Sequence, residues 1–278
     1  MNTATKTIKE LIEDYITYLR VERNCPATTQ RAYHKDLEQL DVFLLGQAIN
    51  RITHSDLRSW MEFLHERYAP STIGRKLGCV RSFFRFGVRE GWVTGNPAKD
   101  LDIPRRDETL PKVLTENESE TLIESVKDPR DRALLEVLYG GGLRVSEAVG
   151  ANIEDLGEDH IRVFGKGGRE RICPLGRPAM EALRAYLTDR KSGAIFLNYK
   201  GTRLTARSAR RIVEKCGLEN VTPHTLRHSY ATNMLDRGID IRSLQELLGH
   251  KSIHSTQRYA QVSNTHKQEV YRKFHPRG

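Results

Sequence analysis

The sequence has 278 residues, of which 38% are hydrophobic and 29% are charged. These proportions are typical of a folded, water-soluble protein, and the length favours two domains. No apolar run approaches the roughly 18 residues that a membrane-spanning helix needs, and the N-terminus enters an amphipathic pattern instead of a leader sequence. We therefore expect a cytoplasmic protein without membrane contact.

The charge favours a polyanion as partner. Lysine and arginine total 45 against 36 aspartate and glutamate residues, a formal net charge of +9. The excess is uneven, because 15 basic and 13 acidic residues lie up to Asp102, and 30 and 23 follow it. Nucleic acid is the commonest partner of such a surplus. The four cysteines form no CxxC pair, which predicts reduced thiols and no zinc or disulfide framework.

Four amphipathic helices are predicted in the first hundred residues. In the second of them, Thr28 and Thr29 are candidate N-caps. Together the four helices predict a helical N-terminal domain over residues 1–101. The patterns lie at residues 5–20, 25–46, 53–68 and 69–91.

A linker is predicted over residues 102–114, within the stretch "NPAKDLDIPRRDETLPKVLT". It is rich in proline and charge and lacks an apolar stripe. A new helix pattern begins directly after it, at "ENESETLIESV". A second domain is therefore expected over residues 115–278.

This second domain mixes helices with a short β-structure. The segment "HIRVFGKGGRERICPL" alternates apolar residues around a "GKGG" turn, which predicts a β-hairpin. The whole chain is thus predicted to be mainly α, with a small hairpin in a C-terminal α+β domain. Further helices are predicted on both sides of a glycine-rich break in 128–152 and at 177–189, 205–215, 224–236 and 241–248.

Six polar residues of the second half form a candidate site. Taken singly, each has an ordinary explanation: a solvated arginine or lysine, a core histidine, a packed tyrosine. Three of them have suggestive positions, since Arg144 joins a glycine-rich loop to a helix, and His224 and Arg227 have i, i+3 spacing. In chain order the six are Arg144, Lys166, His224, Arg227, His250 and Tyr259.

A zinc site is the alternative for the histidines. His224 with His228 and His250 with His254 both have the i, i+4 spacing of metal ligands on a helix. Neither pair belongs to an HExxH motif, and no cysteine or carboxylate completes a usual ligand set. The sequence therefore disfavours zinc.

The segments "GGLRVSE", "HTLRHSYAT", "LGH" and "STQRYAQV" occur in the order and with the spacing of known motif boxes. The chain resembles the tyrosine recombinase (phage integrase) family over essentially its whole length, and within it the bacterial Xer recombinases. It departs from the usual pattern at His254, where the family often has serine, and at Arg258. The resemblance implies an N-terminal SAM-like DNA-binding domain and a C-terminal catalytic domain.

The resemblance also implies a reaction. Tyr259 would attack a DNA phosphodiester, forming a 3′-phosphotyrosine and releasing a 5′-hydroxyl. Arg144 and Arg227 would bind the non-bridging oxygens, where forked guanidiniums match better than lysines. The remaining roles are a hydrogen bond from His250 to the phosphate, proton exchange between His224 and Tyr259, and protonation of the leaving oxygen by Lys166. Because the phosphotyrosine conserves the bond energy, no cofactor or metal is expected, and no GxxxxGK[ST] loop is present.

Two arginine-rich helices are candidates for contact with double-stranded DNA. The first lies in "TRLTARSARRIVEKC", where four arginines are predicted along one helical face below a Thr205 cap. The second, weaker candidate is the exposed face of the fourth N-terminal helix. The residues are Arg203, Arg207, Arg210 and Arg211 in the first, and Arg75, Lys76 and Arg81 in the second.

The resemblance implies a role and an assembly as well. It favours resolution of chromosome or plasmid dimers at cell division, with integration of a mobile element as the alternative. A monomeric type IB topoisomerase and a DNA-binding protein without activity are less favoured. The tail "THKQEVYRKFHPR" would pack into a neighbouring protomer, giving a homotetramer or heterotetramer on two recombination sites.

Overall fold

The computed structural model describes residues 6–102, 112–165 and 170–249. The chain divides into two compact units, residues 1–108 and 109–278, and the division falls within the predicted linker. Lys166, His250, Tyr259 and the tail after them lie outside the described residues. Of the helices in the described part, none has both the length and the apolar character needed to cross a membrane.

Across residues 6–102, the first unit is a bundle of four helices, as predicted. Capping boxes start α1 at Thr7 and α3 at Thr53. The second helix begins after Pro26, so the prediction that Thr28 or Thr29 caps it is wrong: both lie within the helix. The bounds are α1 Ile8–Val21, α2 Ala27–Phe43, α3 His54–His65 and α4 Pro70–Arg89, with a 3-10 turn at Ile49–Arg51.

Aromatic side chains fill the core of this unit. Trp60, Tyr15, Phe83 and Phe84 are all fully buried. Tyr15 meets Phe83 edge to face with ring centroids 5.4 Å apart, a geometry that aromatic quadrupoles favour. The apolar stripes read from the sequence therefore face one common core.

The second unit combines seven helices with one hairpin within the described residues. The strands β1 His160–Phe164 and β2 Glu170–Pro174 pair antiparallel, with Ile161 opposite Cys173 and Val163 opposite Arg171. This confirms the mainly helical fold with a small hairpin. The helices are α5 Glu116–Glu124, α6 Pro129–Gly140, α7 Val145–Gly150, α8 Arg177–Leu187, α9 Ala206–Lys215, α10 Pro223–Asp236 and α11 Ile241–Leu248.

Helix α6 is central to the second unit. Its residues Leu134, Leu135 and Leu138 are fully buried. A separate apolar cluster, the fully buried Ala231, Leu235, Leu244 and Leu248, joins α10 to α11. Each Å² of apolar surface that is buried contributes about 25 cal/mol of stabilisation. Burial of these four side chains therefore stabilises the junction and fixes the end of α11 against α10.

The core of the second unit begins before its first helix. Leu114, the last residue of the predicted linker, is buried, and its backbone N–H donates to Ser229 Oγ at 2.8 Å. A leucine among prolines and charges gives no periodic signal, so its burial is not visible in the sequence.

Candidate active site

The glycine-rich break between α6 and α7 sets the position of Arg144. Gly142 has a positive φ of 56°, and a Cβ there would lie 2.5 Å from the Tyr230 ring. Only glycine therefore suits this close turn. The chain then enters α7 with Arg144 as the N-cap residue, in an extended conformation.

Arg144 is hydrogen-bonded to Glu147 through both its backbone and its guanidinium but remains open to a ligand. Its backbone N–H donates to Glu147 Oε2 at 2.8 Å, and its Nη1 donates to Glu147 Oε1 at 2.7 Å. The side chain is still 40% exposed. A guanidinium so placed can bind an anion without first being ordered.

Arg227 lies in α10, one turn after His224, and is buried with 3% of its surface exposed. Its Nη1 donates to the carbonyl oxygen of Gly142, and its Nη2 donates to that of Leu248 at 2.6 Å. Its Nη1 also lies 4.0 Å from Glu147 Oε2. The structure thus brings Arg144 and Arg227 together around one carboxylate.

Glu147 is the centre of this cluster, and sequence reasoning missed it. Its side chain is 2% exposed, and it accepts hydrogen bonds from Arg171 at 2.6 and 2.9 Å as well as from Arg144. Burial alone would raise its pKa, but the bonds from Arg171 and Arg144 outweigh burial and hold the pKa below its usual value. The carboxylate is therefore ionised at neutral pH. An acidic residue three positions after a helix N-cap was the one available signal for it.

His224 and His228 form a pair in the first two turns of α10. Their Nε2 atoms lie 2.8 Å apart, and the rings meet at 72° with centroids 4.1 Å apart. His224 is exposed and His228 is half-buried. The ring available for proton exchange is thus hydrogen-bonded to its neighbour.

The zinc alternative gains no support from the described residues. Within residues 6–102, 112–165 and 170–249, no three His, Cys, Asp or Glu side chains are grouped so that they could hold a metal ion. The second predicted pair, His250 and His254, lies outside the described part.

Three of the four arginines predicted on α9 are exposed there, and the fourth is elsewhere. Thr205 caps the helix by accepting from the Ser208 N–H, as predicted. Arg203 precedes the helix, so its placement on this face is wrong. Its Nη1 donates to the carbonyls of Val149, Gly150 and Ala151 at 2.8–3.1 Å. Arg203 thus caps the end of α7. The exposed three are Arg207, Arg210 and Arg211.

The predicted basic face of α4 needs a correction at Lys76. Its side chain is 5% exposed, and its ammonium donates to Asp36 Oδ1 at 2.8 Å. The buried Asp36 on α2 requires a cation, and Lys76 supplies it. Arg75 also pairs with Asp36 but is 42% exposed. Arg81 is half-buried and donates to the carbonyl of Ala98 at 3.1 Å.

Comparison with known proteins identifies the family of this chain. Residues 112–266 match the phage integrase family, and residues 12–91 match the N-terminal SAM-like domain of phage integrases. The chain therefore belongs to the phage integrase family, and it is a site-specific tyrosine recombinase that acts on DNA.

The similarity extends over almost the whole chain. A tyrosine recombinase XerC from Pelotomaculum thermopropionicum is 42% identical over 299 aligned residues, which cover 96% of this chain and 98% of that protein. The XerA recombinase, known from a crystal structure, is 28% identical in sequence, and its fold matches with a TM-score of 0.54. The match covers 97% of this chain and 100% of the XerA chain.

A further structure shows the same fold. It is the XerH site-specific recombinase bound to its palindromic difH substrate, 22% identical with a TM-score of 0.74, covering 94% of this chain and 83% of that one.

Proposed function

We propose that this recombinase cuts and rejoins DNA through a 3′-phosphotyrosine on Tyr259, and that it resolves chromosome or plasmid dimers at cell division. The cluster of Arg144, Arg227 and Glu147 carries the proposal, because two guanidiniums fixed around one buried carboxylate form a preorganised phosphate site. The near full-length similarity to XerC recombinases supports the cellular role.

The two arginines stabilise the transition state. As the tyrosine oxygen attacks, negative charge grows on the non-bridging phosphate oxygens. Arg144, 40% exposed, faces the phosphate, while Arg227 is held by two backbone carbonyls and needs no reorganisation. A preorganised donor of this kind is worth about 3–4 kcal/mol.

The other candidates move protons. Only about 0.1% of an ordinary tyrosine is ionised at pH 7, so the Tyr259 hydroxyl needs an acceptor. His224 takes that role, and its exposed position at the start of α10 supports it. His250 donates a hydrogen bond to the phosphate, and Lys166 protonates the departing 5′-oxygen.

DNA contact and assembly complete the proposal. Arg207, Arg210 and Arg211 on α9 bind the duplex at the recombination site, because exposed guanidiniums on one helix suit successive phosphates. In the first unit, Arg75 retains enough exposure to contribute. The protein acts in the cytoplasm as a homotetramer, or as a heterotetramer with a related recombinase, on two DNA sites.

The test is covalent capture on DNA. Source genomic DNA is fragmented, nicked, incubated with the protein, and the covalently bound fragments are sequenced. Capture at one chromosomal locus supports dimer resolution, and capture at the ends of a mobile element supports integration instead. Tyr259→Phe should abolish capture, whereas the control Tyr199→Phe, at a tyrosine 89% exposed, should leave it intact. Equal capture by Tyr259→Phe would refute the proposed nucleophile.

A further inference from the structure

Arg171, on strand β2, contacts the cluster of Arg144, Arg227 and Glu147, although it lies 24 residues after Glu147 in the sequence. Its Nη1 and Nη2 donate to the two oxygens of Glu147 at 2.6 and 2.9 Å, which is the bidentate geometry of a strong ion pair. Its side chain is only 13% exposed. Both fork nitrogens of Arg171 thus engage Glu147.

Arg171 also reaches the end of α11. Its Nε donates to the carbonyl of Leu247 at 3.2 Å, next to the Leu248 carbonyl that Arg227 binds. These are terminal carbonyls that lack partners within a helix. Gly249 follows with a φ of +61°, and a Cβ there would lie 2.9 Å from Arg171 Cδ. Arg171 therefore braces the chain directly before His250.

The hairpin places Arg171 near a third segment of the site. Arg171 is opposite Val163 in the β1–β2 register, and the connection between these strands contains Lys166. The base of that connection is thus tied to Glu147 through Arg171. Helix α7, Arg227 of α10 and the end of α11 thus all meet strand β2 at this one side chain or at the carboxylate it binds.

Arg171 also determines how strongly the Glu147 carboxylate attracts Arg144. Glu147 is buried and ionised, and it attracts every nearby guanidinium. Arg171 satisfies one hydrogen-bonding direction of each carboxylate oxygen. Without it, Arg144 would be the main remaining partner and would be drawn away from a phosphate. Lysine cannot replace this arrangement fully, because a single ammonium does not span both oxygens.

We propose that Arg171 is a positioning residue for DNA cleavage: it neutralises Glu147, so that Arg144 stays available to the phosphate, and it ties the hairpin and the end of α11 to the catalytic arginines. The proposal rests on the proposed function, since it concerns the same site.

The first test is a double-mutant cycle of Arg171→Met and Glu147→Gln, read by single-turnover cleavage of a nicked substrate. Arg171→Met alone should slow cleavage roughly 10- to 100-fold, because a small misplacement of catalytic groups can cost up to about 100-fold, while DNA affinity stays within about twofold. In the Glu147→Gln background the same change should slow cleavage less than about threefold, because no carboxylate charge remains. An equal loss in both backgrounds would overturn the proposal.

Two further measurements guard against other outcomes. Arg171→Lys keeps the charge and should cleave faster than Arg171→Met; equal rates would contradict the fork argument, and this comparison serves if the methionine variant does not fold. Hydrogen exchange at Leu247–Gly249 should accelerate in the variants, and unchanged protection there would contradict the brace. If the wild-type protein forms no covalent complex with DNA, the proposed function fails. Hydrogen exchange would still test whether Arg171 holds the end of α11.

Discussion

The imidazole rings of His224 and His228 meet through their Nε2 atoms at 2.8 Å. Only one proton fits between two such nitrogens, so one ring donates and the other accepts. The tautomers of the two rings are therefore linked. The ring proposed to exchange a proton with Tyr259 thus shares one of its nitrogens with a neighbouring imidazole.

We predict that His228→Phe slows DNA cleavage roughly tenfold, a part of the 10²–10⁴-fold that a general base contributes. The phenyl ring keeps the size of the side chain but cannot hydrogen-bond to His224. His228→Gln, which can, should retain more activity. Single-turnover cleavage and DNA affinity are measured for both. A phenylalanine variant that cleaves as fast as the wild type would show that His224 does not depend on its partner.

The ionised Glu147 predicts a specific response to acid. Folding lowers the pKa of Glu147, chiefly because hydrogen bonds from Arg171 and Arg144 outweigh the effect of burial. The ionised carboxylate therefore stabilises the folded state fully at a pH above its unfolded pKa of about 4.3. This contribution is lost as the pH falls through the lower pKa of the folded state.

We accordingly expect the second unit of the wild-type protein to lose stability faster than that of Glu147→Gln below about pH 4, by at most about 1.4 kcal/mol per pH unit. Calorimetry from pH 7 to pH 3 measures this, since other carboxylates are common to both proteins. Parallel curves for the two proteins would contradict the assignment.

The arginines near α9 should separate into two groups. Arg210→Ala and Arg211→Ala should each weaken DNA binding. Each should also lower the slope of log Kd against log [salt] by about 1, because each variant loses one contact with a phosphate. Arg203→Ala should leave that slope unchanged but destabilise the fold by about 1–2 kcal/mol, since carbonyls at the end of α7 lose their donor. Fluorescence anisotropy at several salt concentrations and calorimetry distinguish them. A reduced slope for Arg203→Ala would refute its capping role.

Lys76 should matter for stability and not for DNA binding. Lys76→Met removes the ammonium from Asp36, leaving Arg75 as partner, and we expect a loss of about 1–3 kcal/mol. Both tryptophans, Trp60 and Trp92, lie in the first unit, so their fluorescence during urea unfolding reports this change. Arg85→Met, at an exposed position of the same helix, is the control and should change stability by less than about 0.5 kcal/mol. Equal stability of the two variants would contradict the buried pair.

Much of the fold could be predicted from local patterns. The four helices of the first unit and the "GKGG" hairpin repeat apolar residues at the helical or strand period, and such a period is a property of adjacent residues. The i, i+3 spacing of His224 and Arg227 was visible for the same reason.

The charged residues show where local patterns fail. The sequence placed Lys76 on an exposed face and Arg203 on a helix, yet Lys76 is buried against Asp36, 40 residues earlier, and Arg203 caps a helix that ends more than 50 residues before it. Both errors arise because a charged side chain takes its role from its partner, and the partner comes from a distant segment.

By itself, the sequence determined the order of the helices, the hairpin and the types of residue available for phosphate chemistry. Only the tertiary structure decided that Glu147 collects the guanidiniums, with Arg171 arriving from 24 residues away and Arg227 reaching Gly142 across 85. Helical and strand periods describe relations over a few residues, whereas a buried ion cluster forms only when packing removes water from groups that are remote in the chain.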